Sequence, residues 1–254
     1  MSVVRQRWRL VFARGDEARY LSHLDAVHSW ERAFRRGDIP VATSEGFSPR
    51  PKLVFAAPLQ LGMLAEHELA DIFLAEKLTA PDLRRRLAAG MPRGYSVVDL
   101  HDVWIGAPAI APQLAAADYR LNLLNVDQEL LAGAVTRLLA ADQLTRERRK
   151  ESKSIRYDLR PLVFDLQVCP ADLAAVPPDA DPGLTAGLWM RLRHSQSGGS
   201  GRSEEVVAAL ADELGLTANV ALGDADEGGD AAAATPAETA DQSGPALEVI
   251  HPVR

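Results

Sequence analysis

The sequence predicts an α+β protein built from two successive β-α-β-β-α-β units. Three observations carry that expectation. Arg5–Arg14 alternates with period two and is followed at once by an amphipathic helical stretch over Tyr20–Arg36. Strand, strand, helix and strand patterns then complete the unit by Trp104. After an Ala/Pro-rich stretch a similar order begins again at Tyr119. The 254 residues suffice for this, since domains commonly run to about 100–150 residues.

In the first strand Trp8, Leu10 and Phe12 share one face, and Arg5, Arg7 and Arg9 share the other. Gly15-Asp16-Glu17 makes a turn. Tyr20, Leu24, Val27 and Phe34 fall within one helical arc, with Ser22 as N-cap and Asp25 three residues on. Gly37 and Pro40 stop that helix. Thr43–Lys52 is too rich in Gly and Pro for regular structure. Leu53–Leu59 is an apolar strand with Pro58 near its end, the mark of an edge or a terminus. Glu68–Ala75 is the next strand, Thr79 opens a short helix closed by Gly90 and Pro92, and Tyr95–Trp104 is the last strand. In the second unit, strand Tyr119–Asn125 precedes helix Asp127–Ala140. Arg146–Arg160 supplies charged, hairpin-like strands, and Ala186–Arg193 a further strand. Ser203–Leu214 is a helix with Ser203 as cap. Val220-Ala221 and Ala246–Ile250 compete for the final strand. The expected organisation is therefore a first ferredoxin-like unit over 1–104, a linker over 105–117 and a second such unit over 118–222. A disordered acidic Ala/Gly-rich tail follows over 223–245, then a candidate C-terminal strand over 246–254.

Hydrophobic residues make up 47% of the chain and charged residues 25%, the balance of a globular protein. No apolar run is long enough for a membrane span, which excludes a membrane partner, and MSVVRQRWRL lacks a signal-peptide pattern. The single cysteine, Cys169, excludes a disulfide framework and an iron–sulfur cluster held by this chain, and points to the cytoplasm. The six histidines show no H-E-x-x-H spacing. No metal or cofactor is expected. Charge divides unevenly: residues 1–160 carry 24 basic and 20 acidic side chains, whereas residues 161–254 carry 4 and 15. A mildly basic part thus precedes an acidic one.

Three places invite function. His23 opens the first helix, where the dipole favours neutral imidazole, a general base or a donor to phosphate. In the Ser44–Lys52 loop, Phe47 suits stacking on a base, and Arg50 and Lys52 suit a phosphate backbone. Residues 146–160 hold seven Lys/Arg against three acids, among them Arg148, Arg149 and Lys150. With the Arg5, Arg7, Arg9 face they compose a candidate RNA footprint. Each also has a plainer reading as a cap, a Pro-rich connection or a solvated hairpin. Glu31 lies inside the apolar arc, either paired with Arg35 or holding an arginine of the Ser44–Lys52 loop. His194–Arg202 precedes a helix N-terminus and is a weaker phosphate candidate.

Arg9–Phe12, then Y-L-S-H-L-D (20–25), W-E-R-A-F-R-R-G (30–37) and S-E-G-F-S-P-R-P-K (44–52), resemble the radical SAM-linked protein family of bacteria. The resemblance is strong over residues 5–75 and looser to about residue 215. Ser48 and Arg50 stand where the family usually has Asn and often has His, so a catalytic role at position 50 does not carry over. The resemblance implies a radical SAM partner that itself holds the cluster. The genomic company of the family hints at RNA. Tandem ferredoxin-like units also resemble the RAMP superfamily of CRISPR repeat-processing ribonucleases, a likeness of fold alone. The leading expectation is a cytoplasmic, non-catalytic RNA-binding accessory protein serving a radical SAM partner on tRNA or rRNA. The alternatives are a metal-independent endoribonuclease using His23 and a protein-docking adaptor that binds no RNA.

Overall fold

Trp8, Leu10 and Phe12 project from one face of β1 (Gln6–Arg14) and seed the first core. The computed structural model describes residues 3–45, 47–150, 153–172, 175–178, 180–195, 199–219 and 246–253. Ser22 ends the turn after β1 and caps α1 (His23–Arg36), its hydroxyl accepting from the Asp25 N–H. Helix α1 buries Ala26, Trp30, Ala33 and Phe34. The edge strand β2 (Leu53–Phe55) and β3 (Ala65–Leu74) follow, then α2 (Ala80–Gly90), capped by Thr79, and β4 (Tyr95–Val103). The sheet order is β2-β3-β1-β4 with every pairing antiparallel. One sheet face, carrying Leu10, Ala70, Ile72, Leu74 and Leu100, packs with Trp30 and Phe34 of α1 and Leu83 and Leu87 of α2. β2 is shorter than the sequence suggests, stopping well before Pro58, and β3 starts earlier, at Ala65. The helices approach closely where Gly37 and Gly90 meet. A Cβ on Gly90 would lie 2.2 Å from the Ala33 carbonyl oxygen.

The chain divides into two compact units at Leu114 and Ala115. The second opens with β5 (Ala116–Leu124) and α3 (Gln128–Ala140), which Asp127 caps by accepting from two backbone N–H groups. Then come β6 (Thr145–Lys150), β7 (Lys153–Asp158), β8 (Val163–Cys169), β9 (Thr185–Arg193), α4 (Ser203–Leu214), β10 (Thr217–Asn219) and β11 (Ala246–Val253). The five-stranded order is β10-β11-β5-β9-β8, antiparallel except for the β10–β11 pair.

Three expectations change here. The charged hairpin of residues 146–160 does not enter the main sheet. β6 and β7 pair only with each other, because T-R-E-R-R-K and K-S-I-R-Y-D offer no continuous apolar face to bury. Its place is taken by β8, where a register shift between Val163 and Asp165 breaks the alternation that would have marked the strand. Ser203 is the first residue of α4 rather than its cap. Arg202 holds the cap position without a side-chain capping bond. Of the two candidates for the last strand, β11 pairs with β5, whereas Val220-Ala221 lies outside the described residues, as does 223–245. Among the described residues the protein is thus a mixed α/β structure with largely antiparallel sheets and four α-helices.

Candidate functional site

The alternation that buries Trp8, Leu10 and Phe12 continues to Arg14. At that end of the sheet the apolar face gives way to polar groups. Register places Phe12 opposite Glu68 of β3 and Arg14 opposite Tyr95 of β4. With Phe55 of β2, Ala57, Leu59, Ala26 and His23, these residues line a small cleft of about 20 Å³, room for one water. His23 is the first residue of α1 and stands over the cleft. Its ring meets Phe55 edge-on at 5.6 Å and 71°, while the rest of it is exposed. Burial of the packed side pushes the imidazole pKa below its ordinary 6.5, which favours the neutral form. Burial raises the Tyr95 hydroxyl above its ordinary value, and a hydrogen bond and the charge of Arg14 partly oppose that. Arg14 also clamps the far wall, donating to the Gln60 carbonyl at 2.6 Å and to the Met63 carbonyl at 2.6 and 3.1 Å.

Phe12, Phe55 and Tyr95 each meet the ring of buried Trp30, at centroid distances of 5.2, 6.4 and 5.6 Å. The cleft therefore stands on a rigid aromatic floor. Arg14, Glu68 and Tyr95 were not singled out from the sequence. Each reads there as the ordinary end of a strand. The signal available was the period of two carried one step further, from Phe12 to Arg14.

The Ser44–Lys52 loop is fastened at its base. The Ser44 N–H donates to the Arg50 carbonyl at 2.8 Å, and the Arg50 N–H to the Ser44 hydroxyl at 3.0 Å. Thr43 bridges Pro51, and the Lys52 N–H donates to the Ala42 carbonyl at 2.7 Å. Beyond this base Phe47 stands fully exposed, and Arg50 is exposed with it. Lys52 is half-buried and leads straight into β2. The ring that meets His23 is therefore Phe55, three residues after Lys52.

The basic stripe of the first strand faces a carboxylate. Asp71 of β3 is 1% exposed and accepts from Arg7 at 2.5 and 3.1 Å and from Arg9 at 2.9 and 3.1 Å. Arg7, 2% exposed, also donates to the carbonyls of Ala107 and Pro108 at 2.6 and 2.8 Å. Arg36 donates to the Gly90 carbonyl. In the hairpin, Arg146 is tied to Glu205 and Asp212 of α4, and Arg160 to the carbonyls of Leu139 and Val163. Arg156 is exposed. Arg148, Arg149 and Lys150 sit on β6, and their side chains lie outside what is described. Glu31 buries one carboxylate oxygen without a hydrogen-bond partner, and no ion pair joins it to Arg35 or Arg50. The loop before α4 closes on itself, with the Gly201 N–H donating to Arg193 and the Ser195 N–H to the Ser200 hydroxyl. Residues 196–198 of that loop lie outside the described residues.

No curated protein matches the chain. Among solved structures, that of an unknown protein from Galdieria sulphuraria is similar over 83% of this chain and 94% of its own, at 16% identity and a TM-score of 0.23. From β1 to the loop after β9, over residues 7–197, the chain belongs to the family described as DUF2344, uncharacterized protein conserved in bacteria.

Proposed function

We propose that the protein is a non-catalytic RNA-binding accessory factor that presents single-stranded stretches of tRNA or rRNA to a radical SAM partner. The observation that carries the reading is the fastened loop with its exposed Phe47 beside Arg50 and Lys52. A bare aromatic ring is costly to keep in water. Held on a closed loop among cations, it is a platform for an unstacked base. In this reading both units are ferredoxin-like, in a RAMP-like tandem. The orders β4-β1-β3-β2 and β11-β5-β9-β8 support it, because each runs fourth, first, third, second once β6, β7 and β10 are set aside. The partner rests on the resemblance of residues 20–25, 30–37 and 44–52. With Cys169 as the single cysteine, any cluster would belong to that partner. The place of work would be the cytoplasm.

Fluorescence anisotropy of a labelled single-stranded RNA across a salt series tests the RNA part. Phe47→Ala weakens binding about tenfold without changing the salt slope, the loss of one stacking platform. Each phosphate contact adds about 0.7 to the slope of log affinity against log salt on a single strand. Arg50 and Lys52 with Arg148, Arg149 and Lys150 then give a slope of about 3.5, of which the hairpin triple Ala variant removes about 2. A parent that ignores RNA at low salt overturns the reading and leaves the docking adaptor. Co-purification of a radical SAM protein with the tagged chain tests the partner.

One observation favours a second reading, metal-independent endoribonuclease. Burial against Phe55 lowers the His23 pKa beside a small cleft, which favours the neutral imidazole a general base for a ribose 2′-hydroxyl needs. Under that reading RNA is cut in the presence of a chelator, a strand with 2′-deoxy sugars is not, and His23→Ala loses turnover while keeping affinity.

A further inference from the structure

The five-stranded sheet of the second unit packs with one face and leaves much of the other to solvent. Leu121 of β5, Leu188 and Met190 of β9 and Leu166 of β8 are buried. Register sets Leu121 opposite Leu188 and Leu166 opposite Met190, so these side chains share one face. Helices α3 and α4 pack against this sheet. The residues between them alternate to the far face. There Arg120, Trp189 and Gln167 form one row across β5, β9 and β8, and Asp118, Arg191 and Asp165 form the next. A solvated face of an antiparallel sheet is ordinarily polar. Trp189 is the exception in these rows.

Trp189 stands on an inner strand, away from the sheet edges, and is only partly buried. Its direct cross-strand neighbours, Arg120 and Gln167, are polar and exposed, so apolar pairing across the strands does not account for it. The Arg191 guanidinium lies over the indole, 5.4 Å from the ring centre. Face-to-face contact above that centre would be at about 3.5–4.0 Å, so the guanidinium is displaced to one side of the ring. Asp118 fixes it there, accepting from it at 2.6 and 2.7 Å, and the Arg191 side chain stays 50% exposed. Indole rings and guanidinium planes are the two kinds of group on which unpaired bases stack, and stacking on an open sheet needs a surface, not a cavity.

Resting on the RNA reading above, we infer that the open face of the second sheet is a further stacking platform, on which Trp189, with Arg191 beside it, takes one unstacked base of the bound single strand. Arg120, next to Trp189 in the same row, meets a phosphate of that strand. Its contact adds to those of the loop and the hairpin. A platform of this kind holds any base, because every base has a π face.

The test uses the full chain and a ten-nucleotide uridine RNA. By fluorescence anisotropy of the labelled strand, Trp189→Ala weakens binding about tenfold with the salt slope unchanged, and Trp189→Phe restores most of the loss. Arg120→Ala lowers the slope of log affinity against log salt by about 0.7. A second measurement leaves the platform intact. The chain has four tryptophans, of which Trp8 and Trp30 are buried at 4% and 0% exposure and Trp104 is 77% exposed. In Trp104→Phe protein, titration with unlabelled RNA therefore quenches the emission of Trp189, a readout that holds even if Trp189→Ala does not fold. Parent-like binding by folded Trp189→Ala, or RNA binding to Trp104→Phe protein without quenching, overturns the inference, while a loss on Phe47→Ala keeps the RNA reading standing. Absence of binding by the parent at low salt overturns both.

Discussion

Asp71→Ala should be among the most damaging single changes in the first unit. Asp71 is 1% exposed and accepts four hydrogen bonds, two from Arg7 and two from Arg9. Removing it strands the Arg7 guanidinium, which is 2% exposed and is left with the carbonyls of Ala107 and Pro108. An uncompensated buried charge of this kind costs about 3–5 kcal/mol, a large share of the roughly 5–15 kcal/mol that holds a domain folded. With a urea slope near 2 kcal/mol per molar, the midpoint falls by about 2 M. The paired variant Arg7→Met with Asp71→Leu separates the charge from the shape. Arg9 is partly exposed and can turn to water, and the freed carbonyls lie on partly exposed residues. The double variant should therefore recover to within about 1–2 kcal/mol of the parent. Urea unfolding followed by tryptophan fluorescence reads all three proteins. A loss below about 1 kcal/mol for Asp71→Ala, or a double variant no better than the single, would refute the reasoning.

Gly90→Ala should destabilise by about 1–3 kcal/mol, although the same change in an open helix gains about 1 kcal/mol. The new methyl would meet the Ala33 carbonyl oxygen at 2.2 Å and the Gly37 nitrogen at 2.9 Å, and thermal melts report the sign. Ser22→Ala removes the cap of α1, and Thr79→Ala that of α2. Each costs about 1 kcal/mol in chemical unfolding. Because burial lowers the His23 pKa in the folded chain, the unfolded chain takes up that proton first as pH falls below 6.5. The stabilising share of neutral His23 is complete above 6.5 and is lost as pH falls through the folded value. A proton NMR titration of His23 with a midpoint at or above 6.5 would contradict this.

The first unit was more legible than the second, for a physical reason. Trp8, Leu10 and Phe12 alternate without interruption, Ser22 and Thr79 are strong caps, and Gly37 and Gly90 end their helices. Local chemistry and tertiary packing agree there, which is what makes a pattern readable. In the second unit β8 is interrupted at Val163–Asp165, and the neighbouring charged hairpin has strands of the length expected of a sheet member but no apolar face. The charge pattern marked the hairpin as strands but could not tell that it stands apart from the main sheet. The final strand follows a long excursion, so nothing local announces that β11 pairs with β5. At the candidate site the sequence marked the residues that function would leave outside, His23, Phe47, Arg50 and Lys52. It missed the buried polar residues of the cleft, Arg14, Glu68 and Tyr95, because burial belongs to the tertiary structure.

Charge counting misleads for the same reason. The basic excess of residues 1–160 suggests a broad RNA footprint, yet much of it is paired within the protein. Arg7 and Arg9 hold Asp71, while Arg14, Arg19 and Arg36 hold backbone carbonyls. Arg84, Arg85 and Arg86 meet Asp99, Asp82 and Asp38. Arg137 and Arg146 meet acids of α4, and Arg160 clamps two carbonyls. An arginine bound to a carboxylate contributes little field beyond its partner, since the pair is nearly neutral at the distance of a phosphate. Under the proposed RNA reading the electrostatic contribution would come from the cations outside these pairs, Arg50 and Lys52 at the loop together with exposed residues such as Arg5, Arg35, Arg93 and Arg156. Under that reading Phe47, the fully exposed ring of the loop, would add stacking to those contacts. Binding that leans on such a ring would tolerate salt better than binding by a basic coat alone.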